Sequence, residues 1–143
     1  MKLLALLLLV AITGCATFGA KKLSGGNDHE RAMAHGAFNR QIPYLRAQGF
    51  DVPDHRNRVK LYPNPNVGVT KLRSGRIQGI LKDEGRGKRT IARASTYYIE
   101  YARPATPEMF DHEVKHCILK WGGYHNESTA HDRRAFPEGG YIK

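Results

Sequence analysis

The chain has 143 residues with 23 Lys and Arg against 13 Asp and Glu, a formal net charge of +10. That length holds one domain and excludes a large multidomain enzyme, and a hydrophobic fraction of 41% is enough for a modest core. Cys15 and Cys117 are the only cysteines, which excludes a disulfide scaffold and a four-cysteine zinc knuckle.

The N-terminus reads as an address. Lys2 precedes an unbroken apolar run, Leu3 to Ile12, about half the ~20 residues that a membrane-spanning helix needs. A short positive start and a short apolar run are the pattern of an export signal. The run ends in Ile12-Thr13-Gly14-Cys15, which resembles a bacterial lipobox, with small residues before the cysteine. The resemblance implies a signal peptide over 1–14, removal by the lipoprotein signal peptidase, and acylation of the Cys15 thiol. It also implies anchoring to the cell envelope. Ala16, in place of Asp, points to the outer membrane, with the protein facing the periplasm. Several acyl chains hold firmly where one is marginal. Cys117 is then alone, as a buried small hydrophobe or a reactive thiol.

Residues 15–26, with Gly19, Lys21, Lys22, Ser24, Gly25 and Gly26, read as the lipidated cysteine and a flexible tether. Residues 27–143 read as one domain. Asn27 and Glu30 stand at capping-box spacing, so a helix is expected from Asp28 to about Ile42, limited by Pro43 and Gly49. Its inner side is expected to carry Ala32, Met33, Ala37, Phe38, Ile42 and Leu45. From Asp51 to Tyr101 the texture is that of strands. Val59 and Leu61 alternate with polar neighbours, Val67 to Leu72 is a second strand, and Ser74-Gly75 and Glu84-Gly85 are hairpin turns. Thr90 to Tyr101 adds one long strand or two short ones. The sheet is expected to be small and mostly antiparallel.

Thr106, Pro107 and Glu108 occupy the N-cap and first two positions of a second helix. It is expected to run to about Trp121 and to end at Gly122-Gly123. The fold class is therefore α+β: an N-terminal helix, a small sheet, and the second helix packed on it.

That second helix contains His112-Glu113-Val114-Lys115-His116. Histidines at i and i+4 share a helix face, close enough for two imidazoles to meet one metal ion. With seven His and seven Glu in the chain, random placement produces HExxH only about 0.02 times. At ~100° per residue, Phe110, Val114, Cys117, Ile118 and Trp121 form one stripe. The two histidines fall opposite its centre, toward a cleft, with Glu113 between them and the stripe's edge.

The motif resembles that of the zincins, over residues 106–132. The resemblance implies a minimal zincin-like metallopeptidase that hydrolyses peptide bonds with a Zn2+-activated water. His112 and His116 would bind zinc, and Glu113 would act as general base and then proton donor. A third protein ligand is needed. His125, just beyond the glycine turn, is the first choice; His131 is the second, and Glu127 and Asp132 are also in range. The metzincin order HExxHxxGxxH is not matched, because eight residues separate His116 from His125 where that pattern has five. Tyr124 has a phenol suited to packing or to stabilising an oxyanion. The strand Tyr97 to Tyr101 is read either as sheet core or as the edge strand that pairs with an extended substrate.

Basic residues cluster as Arg56-Arg58-Lys60, Lys71-Arg73-Arg76 and Arg86-Lys88-Arg89. On a lipid-anchored protein they would face anionic lipid, lipopolysaccharide or acidic cell-wall polymer. No nucleic-acid motif is present. The alternative to a peptidase is thus a non-catalytic basic envelope lipoprotein that binds such an anionic partner.

Overall fold

The computed structural model describes residues 23–71, 73–74, 76–80, 89–125 and 131–137. The lipobox, Cys15, the turn Glu84-Gly85, the cations Arg86 and Lys88, and Glu127 lie outside the described residues. Among the described residues, no helix is long and apolar enough to cross a membrane.

The architecture is α+β, with two helices against a four-stranded sheet. Strand β1 is Ser24–Gly25, helix α1 is Asp28–Ala47, and a single 3-10 turn covers Arg56–Arg58. Strands β2 (Lys60–Pro63), β3 (Val69–Lys71), β4 (Ile77–Ile80), β5 (Ala92–Ala94) and β6 (Tyr98–Tyr101) follow, and helix α2 is Pro107–Trp121. The main sheet has the order β1-β2-β6-β5, while β3 and β4 form a separate antiparallel hairpin.

The sheet is mixed, not mostly antiparallel. Strands β1 and β2, and β2 and β6, pair in parallel; only β5 and β6 are antiparallel. Apolar alternation reports which face is buried and is silent on strand direction. Between β2 and β6 the chain makes the β3–β4 excursion and returns, which is the long connection a parallel pair needs. Strand β6 therefore lies inside the sheet and is not an edge strand. Among the described residues, the edge of the sheet beside α2 belongs to β5.

The segment read as a tether also ends inside the fold. Leu23 is buried in the core, and Ser24–Gly25 pair with Lys60 and Leu61. Gly25, at φ +75°, permits this approach, since a Cβ there would lie 2.1 Å from the Leu61 carbonyl oxygen.

Helix α1 begins at the expected capping box. Asn27 Oδ1 accepts from Glu30 N at 2.8 Å, and Glu30 Oε2 accepts from Asn27 N at 2.9 Å. The helix continues through Pro43 to Ala47. Pro43 lacks the N–H that would bond Asn39, and burial of Ile42 and Leu45 on either side of it carries the helix onward. Ala37, Phe38, Ile42 and Leu45 are buried as expected; Ala34 is buried with them, and Ala32 is exposed.

Helix α2 starts and stops where expected. Thr106 Oγ1 accepts from Met109 N at 3.2 Å. Its end is a Schellman turn: Gly123, at φ +77°, donates to Lys120 O, and Tyr124 N donates to Leu119 O at 2.9 Å. The helix is not two-faced, however. Every residue from Met109 to Leu119 except Asp111 is buried, because α1, the sheet and the 131–137 segment surround it. Phe38 of α1 stacks on Trp121 at 5.5 Å, and Arg40 and Gln41 both donate to Asp111 Oδ1 at 3.1 Å.

Candidate metal centre

The cap at Thr106 and the turn at Gly122-Gly123 fix the register of α2, and the register fixes the histidines. His112 Nε2 and His116 Nε2 lie 3.2 Å apart. Two nitrogens bound at about 2.0–2.1 Å to one tetrahedral ion are about 3.3 Å apart, so the pair already has the spacing of a shared metal.

The third member is His131, not His125. One ligand atom from each of His112, His116 and His131 lies within 4.8 Å of the others. His112 and His116 are buried, at 8% and 9% exposure, while His131 is exposed, so the group is open to solvent on one side. His125 stands behind His116, its Nε2 2.9 Å from His116 Nδ1. Three neutral imidazoles suit a divalent first-row ion such as zinc; the structure identifies a group able to hold a metal ion, and the choice of zinc rests on the zincin resemblance.

The segment carrying His131 is held by its own turn. Asp132 O accepts from Ala135 N and Phe136 N at 2.9 and 2.7 Å, and its carboxylate pairs with Arg134 at 3.0 Å. That pairing lowers the Asp132 pKa and occupies Asp132 in the turn. The turn drives Phe136 into the core, its ring 5.0 Å from His112, 4.7 Å from His116 and 5.1 Å from His131. Phe136 is thus an apolar wall common to all three imidazoles. The Lys115 ammonium lies 5.1 Å from the centre of the Phe136 ring and 5.3 Å from that of Tyr44. No periodicity in the polar tail marks Phe136, and only its being aromatic sets it apart.

Electrostatics favour a neutral imidazole at His116. Burial, reinforced by the other histidines, holds His116 down to about 2, and burial also lowers His125. A ligand imidazole must be unprotonated, so this environment suits metal binding. Glu113 is 5% exposed and accepts no hydrogen bond among the described residues. Burial pushes its carboxyl up to about 8, against a smaller opposing pull from Lys120. A cation in the imidazole group would draw that value down.

Cys117, Tyr124, Lys120 and Trp121 make packing and hydrogen-bond contacts around α2. Cys117 is buried, donates from Sγ to Ser95 O at 3.1 Å, and has its thiol pKa raised by burial. Tyr124 packs edge-on against Phe50 at 5.1 Å, and its hydroxyl accepts from Asp51 N at 3.1 Å. Lys120 Nζ donates to Ala94 O at 2.9 Å, and Trp121 Nε1 to Thr96 O at 2.6 Å, which ties α2 to the end of β5. The chain matches no protein-family model, no curated protein and no solved structure.

Proposed function

We propose that the chain is a zinc metallopeptidase, anchored to the cell envelope by lipid on Cys15. His112, His116 and His131 hold the ion and Glu113 is the general base. The observation that supports this reading most is the convergence of three imidazoles at a helix that also carries a buried carboxyl one residue after His112. When bound, zinc supplies a Lewis acid that polarises a carbonyl and makes water acidic near neutral pH. The Glu113 carboxylate takes the proton from the attacking water and delivers it to the departing amide nitrogen. A buried base with few competing hydrogen bonds is suited to both transfers.

The substrate would pair with β5. Ser95 N donates to Tyr98 O and Ala102 N donates to Ile91 O, so the odd-numbered residues of this segment bond β6. By alternation the backbone of Ala92 and Ala94 faces the other edge; Lys120 Nζ occupies Ala94 O there at 2.9 Å, so an extended peptide would add through the backbone of Ala92 and the Ala94 N–H.

A second reading, the non-catalytic basic envelope lipoprotein, is supported by the outer face of the sheet. Tyr62 and Tyr98 are 43% and 38% exposed and meet edge to face at 5.9 Å. The Lys60 ammonium lies 4.8 Å from the Tyr62 ring and the Arg58 guanidinium 3.7 Å from that of Tyr97. Such a face suits anionic lipid or polymer. The deciding experiment is a screen of the full chain, in detergent with zinc, against a diverse peptide library. Glu113→Gln should keep zinc and the fold while hydrolysis falls about 10²-fold or more. A parent that holds zinc and cleaves nothing favours the second reading.

A further inference from the structure

We propose that His125 is the positioning residue of this centre: it accepts a hydrogen bond from His116 Nδ1 and thereby aims His116 Nε2 at the metal. The inference rests on the reading of His112, His116 and His131 as ligands and adds a role that the motif spacing does not assign. An imidazole has two nitrogens, and both of those on His116 are engaged. Nε2 faces His112 Nε2 at 3.2 Å, and Nδ1 faces His125 Nε2 at 2.9 Å. A neutral imidazole carries one proton. When Nε2 offers its lone pair to a metal, the proton must be on Nδ1, and Nδ1–H needs an acceptor.

His125 Nε2 is that acceptor, which places the proton of His125 on its own Nδ1. The same nitrogen cannot also bind the ion, and His125 is outside the group whose ligand atoms lie within 4.8 Å of one another. The two rings meet at 72° with centroids 5.0 Å apart, so the His125 nitrogen approaches the edge of the His116 ring. The loop fixes this contact. The Schellman turn at Gly122-Gly123 reverses the chain, and Tyr124 pins it by accepting from Asp51 N and packing on Phe50. A Cβ at Gly122 would lie 2.8 Å from the Tyr124 ring and 2.9 Å from Val52 Cγ1, so the return path requires glycine. Partners behind a ligand histidine set its tautomer and ring orientation, and their loss costs about 10–100-fold in metal affinity.

The test is zinc affinity of the full chain, by competition with a chromophoric chelator, for the parent, His125→Ala, His125→Gln and His131→Ala. Urea unfolding of each in excess chelator checks that the metal-free fold is kept. His125→Ala should still bind one zinc, about 10–100-fold more weakly. His125→Gln, whose amide oxygen can accept in place of Nε2, should recover most of the loss. His131→Ala should lose far more, as expected for a ligand. Unchanged affinity in His125→Ala would overturn the proposal. So would loss of stoichiometric zinc in His125→Ala with His131→Ala little affected, which would make His125 the third ligand. A parent that binds no zinc would overturn the metal reading itself, and this proposal with it.

Discussion

Glu30 on α1 and Glu113 on α2 are buried to the same degree, at 4% and 5% exposure, yet the fold treats them in opposite ways. Around Glu30 every oxygen is used. Tyr101 donates to Oε2 at 2.7 Å, Arg103 Nε to Oε1 at 2.6 Å, and Asn27 N closes the capping box. Arg103 and then Tyr101 hold the carboxyl down to about 2, against the pull of burial. Glu113 has no such donors, and its carboxyl rises to about 8. The first cluster is architecture, joining α1, β6 and the segment after it. The second holds its carboxyl in a packed helix without a hydrogen bond among the described residues, and burial sets its titration instead of partners.

Predictions follow from this contrast, the largest effect first. Phe136→Ala removes the wall against which the imidazoles sit and leaves a cavity. It should cost about 3–5 kcal/mol of stability in urea unfolding and weaken metal binding. A loss below about 1 kcal/mol would mean that the 131–137 turn is not docked as described.

The same substitution in both clusters sharpens the comparison. Glu30→Gln should cost about 2–3 kcal/mol, because it removes a charge that Tyr101 and Arg103 are arranged to meet. Glu113→Gln in metal-free protein should change stability by no more than about 0.5 kcal/mol, since no hydrogen bond is lost. Equal costs at the two positions would erase the distinction between them.

Acid separates them further. The Glu30 carboxyl is held below its unfolded value of 4.5, so the unfolded chain binds the proton more readily. The stability this contributes is present above about pH 4.5 and is lost as pH falls toward 2. The loss should be about 2 kcal/mol, allowing for the half-exposed Arg103. In Glu30→Gln that component of the pH profile should vanish, as measured by urea midpoints at pH 2, 3, 4 and 5.

The smallest effect concerns Tyr124. Its hydroxyl accepts from Asp51 N, so Tyr124→Phe should cost about 1 kcal/mol and leave the rate of peptide hydrolysis within about threefold. A fall in kcat of about 10²-fold without loss of stability would restore the oxyanion role.

Local signals in the sequence were enough for both helix starts and for the end of α2, but not for the end of α1, which runs through Pro43 to Ala47. The Asn27–Glu30 box, Thr106-Pro107 and Gly122-Gly123 each specify a backbone hydrogen-bonding state within a few residues, and the structure has all three. HExxH places two imidazoles by helix geometry alone. What lies across a loop was not legible. Whether His125 or His131 joins the pair depends on how residues after Gly123 return, and a spacing rule cannot choose between them. Strand direction was hidden for the same reason, since Leu61 and Ile99 alternate identically in parallel and antiparallel pairs. Phe136 sits in a polar tail, and its role appears only once the Asp132 turn folds it onto α2.

The central claim is that His112, His116 and His131 hold one metal ion. Native mass spectrometry of the full chain in detergent, equilibrated with zinc at neutral pH and then cleared of excess metal, tests it most directly. The parent should carry one zinc per chain, and His116→Ala, which removes the nitrogen 3.2 Å from His112 Nε2, should carry none. A parent free of zinc, or a His116→Ala variant that retains it, would contradict the account.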